Sequence, residues 1–84
     1  MTLSLARALA PKIRVNAICP GFIDTPMLPD LGDLRTRLAG HAPMARLGRP
    51  DEIGTTARFL LSNDASFITG THVVVDGGCT IADM

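Results

Sequence analysis

Two short apolar segments constrain this chain most. IRVNAI, residues 13–18, runs into Pro20-Gly21, and HVVVD, residues 72–76, runs into Gly77-Gly78. Between them lies a long stretch with helical patterning, far more chain than a hairpin turn needs. Two strands joined by a long helical crossover pair in parallel, as a βαβ unit. The β-branched run HVVVD has the pattern of a strand covered on both faces, which is usual in parallel sheets. In the first segment, Ile13, Val15 and Ala17 should face one side and Arg14, Asn16 and Ile18 the other.

The helical segments follow from composition and punctuation. TLSLARALA, residues 2–10, is rich in Leu and Ala, with Leu5 and Leu9 one turn apart beside Ala6 and Ala10; Pro11 closes it. It has no capping residue before it, so it reads as the tail of a longer helix. Asp30 can cap a helix over 31–39, with Leu31, Leu34 and Leu38 on one stripe and Asp33 and Arg37 paired on the other side. A third helix starts at Pro50, a residue suited to the first helical position, and Asp51 and Glu52 complement its dipole. Ile53, Ala57, Leu60 and Leu61 trace its core face, and Asn63-Asp64 ends it. The fold class is therefore α/β, in the order helix, strand, two helices, strand.

Composition narrows the function. Eighty-four residues make at most one small domain, and 46% apolar content argues against disorder. Eight basic and eight acidic residues cancel, which gives no reason to expect nucleic acid or an anionic membrane as partner. No apolar run approaches the ~20 residues of a membrane helix. The apolar N-terminus lacks the basic leader of a signal peptide. Cys19 and Cys79 have no CxxC spacing and no clustered histidine, so no metal site is expected; free thiols in a cytoplasmic protein fit better. Neither His41 nor His72 has the sequence neighbours of a catalytic histidine. Asn16 is expected to bond to neighbouring backbone, Asp24 to form a turn, Asp76-Gly77-Gly78 to end a strand, and Cys19 to fill apolar space.

In parallel α/β sheets, ligands bind beyond the carboxyl ends of the strands. PGFIDT, residues 20–25, falls there. Gly21 lets backbone come close to a flat ring, and the prolines stiffen the loop.

Three segments then carry a resemblance. IRVNAICPGFIDTPM, RLGRPDEI and FLLSNDASFITGTHVVVDGG resemble the C-terminal portion of a short-chain dehydrogenase/reductase, in that family's order and spacing. The resemblance implies a C-terminal fragment of a Rossmann-type, doubly wound parallel sheet that binds NAD or NADP. It implies that Pro20 and Gly21 form the floor under the nicotinamide, that Ile23 offers backbone hydrogen bonds to the carboxamide, and that Thr25 contributes its hydroxyl. Met27, Leu28, Leu31 and Leu34 would line the substrate, a small carbonyl compound or alcohol. The turn from Arg46 to Glu52 would be structural. The family forms dimers and tetramers, so a homo-oligomer is implied.

The departures are as informative. No glycine-rich phosphate loop opens a βα unit, and the chain has no tyrosine for the family's Tyr-x-x-x-Lys pair. The family's catalytic serine and adenine-side acidic residue have no counterpart either. No catalytic residue is expected within residues 1–84, and the isolated chain should be inactive. The alternative is a non-catalytic remnant or oligomerisation module.

Overall fold

In the computed structural model, residues 1–29 and 32–82 are described. The elements run α1 (Thr2–Leu9), β1 (Ala17–Pro20), α2 (Leu34–Ala39), α3 (Pro50–Leu61) and β2 (His72–Val75), with 3₁₀ turns at Asn63–Ala65 and Cys79–Ile81. β1 and β2 pair in parallel, with Ala17 opposite His72 and Pro20 opposite Val75. The βαβ unit read from the two apolar segments is what forms.

β1 begins four residues later than the IRVNAI pattern suggests. The reason is visible in residues 14–16, which are committed to the segment entering β2. The guanidinium of Arg14 donates to the carbonyls of Ile68 (3.2 Å) and Ser62 (3.3 Å), covering orphaned groups at and beyond the end of α3. Val15 N–H donates to Thr69 Oγ1, and its carbonyl accepts from Gly70. Asn16 bridges the same segment, donating to Ile68 O at 3.1 Å and accepting from Thr71 N–H at 3.1 Å. Regular ladder pairing starts only where this clamp ends. At its far end, Pro20 is tolerated as the last strand residue, because the next ladder bond comes from Gly21 N–H to Val75 O at 3.0 Å.

α1 stops because Ala10 precedes a proline and is extended. α2 covers the last six residues of the expected 31–39 span, Leu34–Ala39, with Asp33 at its cap position; Asp30, the expected cap, lies outside the described residues. Asp33 and Arg37 form the expected pair at 3.2 Å. α3 starts at Pro50 as expected. The Glu52 carboxylate accepts from the Arg49 N–H at 2.8 Å, satisfying one orphan donor of the helix start.

The core is thin. Among the described residues, the buried apolar side chains are Ala6, Ala42, Leu60 and Ala65. The thin core shows in four places. β2 is not covered on both faces: Val73 and Val75 are half-buried, while His72 and Val74 are exposed. Leu61 is 84% exposed rather than in the core, because it sits at the margin of the α3 stripe with nothing packed beyond it. The apolar face of α1 buries Ala6 only, against Gly70, and leaves Leu5 and Leu9 exposed. Cys19, expected as apolar filler, is exposed opposite Val74.

Candidate functional site

An isolated parallel bridge joins Ile23, in the loop leaving β1, to Gly48. Gly48 N–H donates to Phe22 O (3.0 Å), and Asp24 N–H donates to Gly48 O (2.8 Å). A parallel bridge of this kind uses the peptide groups on either side of Ile23. The residue's own N–H and C=O point the other way, and they have no partner among the described residues. Gly48 sits close to the Ile23 side chain: a Cβ on it would lie 2.7 Å from the terminal Cδ1, which would have to shift.

Gly48 in turn is placed by the Arg46–Glu52 fork. Nη1 and Nη2 of Arg46 each donate to one oxygen of Glu52 at 2.9 Å. The Arg46 side chain and the Arg49 N–H together hold the Glu52 carboxyl down at about 2, against an ordinary 4.5. The pair ties both ends of the turn that carries Gly48, which supports a structural role for residues 46–52.

Pro20 and Gly21 lie at the carboxyl end of β1, Ile23 at the bridge, and Thr25 in the next turn, where its carbonyl accepts from Leu28 N–H at 3.0 Å. The four residues thus share one stretch of anchored loop. Of the expected substrate-lining residues, Met27 is 92% exposed, Leu28 is half-buried, and Leu34 opens α2; Leu31 lies outside the described residues. A cleft of about 350 Å³ lies between this loop and the end of β2, walled by Phe22, Ile23, Met44, Arg46, Val74 and Asp76 among others. It does not take in Pro20, Gly21, Thr25 or the substrate-lining set. Ile23 and Gly48 both line the cleft.

Two contacts had no clear sequence signal. Arg35 of α2 forms an ion pair with Asp24, between Ile23 and Thr25. Gly21 packs directly on Asp76 at the end of β2. His41 and His72 are exposed, and among the described residues no group of three His, Cys, Asp or Glu side chains could hold a metal ion. No helix among the described residues is long and apolar enough to cross a membrane.

A family model described as enoyl-(acyl carrier protein) reductase matches residues 1–80. The chain belongs to the short-chain dehydrogenase/reductase family. Oxidoreductase UcpA of Escherichia coli is 42% identical over 93 aligned residues, covering 99% of this chain and 35% of the relative. Cis-4-hydroxycyclohexanecarboxylate dehydrogenase of Sinomonas cyclohexanicum is 46% identical over 72 residues, covering 84% of this chain and 29% of the relative. The crystal structure of short-chain dehydrogenase/reductase SDR:glucose/ribitol dehydrogenase from Brucella melitensis superposes with a TM-score of 0.85 at 45% identity, over 94% of this chain and 33% of that one. The chain therefore spans about a third of the length of these short-chain dehydrogenase/reductase relatives. Its parallel pair with helices is an α/β portion of their fold.

Proposed function

We propose that residues 1–84 are the C-terminal part of an NAD(P)-dependent oxidoreductase that transfers hydride between a carbonyl compound and an alcohol. In this reading the chain supplies the nicotinamide-side loop, the substrate-binding segment and a subunit-contact strand. The observation that carries it is the N–H and C=O of Ile23, unpaired among the described residues and fixed by the Gly48 bridge beyond the carboxyl end of a parallel strand. A carboxamide needs one donor and one acceptor side by side, and this peptide offers both.

The remaining residues fit around that pair. Pro20 and Gly21 form a stiff floor without a projecting side chain under the ring. The half-buried Thr25 has a hydroxyl that can donate or accept near the same group. In this reading Met27, Leu28 and Leu34 are the apolar side chains that meet the substrate, and Leu31 is assigned to the same set by sequence alone. A bound nicotinamide supplies the hydride donor or acceptor. The chain's own groups bind and orient it, and they exclude water on one side. No residue of the chain is assigned the proton transfer at the substrate oxygen, so the isolated chain is inactive.

Either NAD or NADP fits, because both share the nicotinamide end. The substrate class is left at a small carbonyl compound or alcohol: the relatives' names range from a cyclic hydroxy acid to glucose and ribitol. A homo-oligomer in the cytoplasm completes the proposal. Exposed apolar residues such as Val74, Leu61 and Phe67 favour a second reading, a non-catalytic association module. Sequencing the DNA upstream of Met1 separates the two. The proposal expects an open frame encoding Tyr-x-x-x-Lys and a glycine-rich loop; an in-frame stop directly upstream overturns it in favour of the module.

A further inference from the structure

The turn after β2 is built more firmly than ending a strand requires. Asp76 Oδ1 accepts from Gly78 N–H at 2.9 Å. Its Oδ2 accepts from Thr80 N–H at 2.9 Å and from Thr80 Oγ1 at 2.5 Å. These donors hold the carboxyl below the usual aspartate range. On the outer side, Met44 N–H donates to Gly77 O at 3.0 Å. Gly78, at φ 94°, sits against the Pro43 ring so closely that a Cβ would meet it at 3.0 Å.

Gly21 rests against this fixed turn. Its N–H bonds to Val75 O, and the space where a Cβ would project is already filled by Asp76 Cβ at 2.6 Å and Cα at 2.8 Å. The contact is with backbone and the first side-chain carbon, which cannot swing aside as a long side chain does. Two residues further along the loop are the peptide groups of Ile23.

We infer that Asp76 is a positioning residue for the nicotinamide-side loop: its Cα and Cβ are the stop against which Gly21 sits, and its carboxylate, bound to Gly78 and Thr80, keeps that stop in place. The inference rests on the cofactor reading above. Asp76 touches neither cofactor nor substrate in this scheme; it acts through Gly21.

The test uses the longer oxidoreductase that carries these residues, with Asp76→Asn, Thr80→Val and Thr80→Ser. Asp76→Asn keeps an acceptor for Gly78 but cannot accept from both Thr80 donors through its amide nitrogen. Thr80→Val removes only the hydroxyl bond, and Thr80→Ser restores it. Asp76→Asn and Thr80→Val should weaken NADH or NADPH binding by roughly two- to tenfold, the range of one or two hydrogen bonds, and Thr80→Ser should bind as the unaltered protein does. In the unliganded protein, amide hydrogen exchange supplies a second readout. Gly21 N–H should exchange faster in the first two variants, while Ala17 N–H, bonded to Thr71 O at the start of β1, keeps its rate. Equal acceleration of both amides means a general loss of stability and overturns the inference. So does an unchanged Gly21 amide, or unchanged cofactor affinity, in a protein that binds cofactor. An unaltered protein that binds neither NADH nor NADPH overturns the cofactor reading itself, and this inference with it.

Discussion

Gly21 and Asp76 meet at the ends of adjacent strands so closely that a methyl group on Gly21 would lie 2.6 Å from the Asp76 Cβ. The glycine is therefore required by packing before any ligand arrives. Gly21→Ala should destabilise the unliganded protein by about 1–3 kcal/mol, the cost of forcing one extra carbon into occupied space. Urea unfolding without cofactor measures it. An unchanged midpoint would mean that the loop shifts freely and that the glycine serves ligand approach alone.

The Arg46–Glu52 fork makes stability depend on acid. The folded protein holds Glu52 at about 2, against an ordinary 4.5. A depressed carboxyl contributes stability that is fully present above the unfolded value and is lost as pH falls through the folded one. The unaltered protein should therefore exceed Glu52→Gln in stability above pH 4.5, with the gap closing between 4.5 and about 2. Both partners are partly exposed, so added salt should narrow the gap. Unfolding midpoints across that pH range check this; a gap independent of pH would contradict it.

Thr25 tests the loop from the cofactor side. In the longer protein, Thr25→Ala should weaken cofactor binding by roughly 1 kcal/mol, the order of one neutral hydrogen bond. Thr25→Val keeps the shape and should do nearly the same. If both variants bind NADH and NADPH as the unaltered protein does, the hydroxyl makes no functional contact.

Much of this was legible in the sequence, for reasons that differ by element. α3 announces itself through Pro50, its acidic first turn and its apolar period, and β2 through its β-branched run. Parallel pairing followed from crossover length alone. β1 was misplaced because Arg14, Val15 and Asn16 look like strand residues by alternation. Their partners, Ser62 and residues 68–71, are some fifty positions away. The same distance hides the Gly21–Asp76 contact, which no local pattern encodes. The PGFIDT stretch, by contrast, could be assigned to the end of β1 from its proline and glycine. What sequence could not supply was the Gly48 bridge that turns the N–H and C=O of Ile23 away from Gly48. Periodicity states which side is apolar, not whether anything packs there: Leu61 lies on the α3 stripe and is exposed, and Val74 stays half-exposed.

The thin core predicts the behaviour of the chain alone. A two-stranded sheet is marginal in water, and among the described residues no large side chain is fully buried. Phe67 is fully exposed and Val74 half-exposed. The purified 84-residue chain should be associated or partly molten. Sedimentation combined with a thermal scan checks this: a monomer with a sharp cooperative transition would show that the βαβ unit folds by itself.

The most direct measurement is a calorimetric titration of NADH and NADPH into the longer oxidoreductase and, in parallel, into residues 1–84 alone. If this chain contributes one side of a cofactor site whose phosphate cradle lies elsewhere, the longer protein binds one of the two in the low micromolar range and the isolated chain binds neither. Low micromolar binding by the isolated chain, or none by the longer protein, would contradict that assignment.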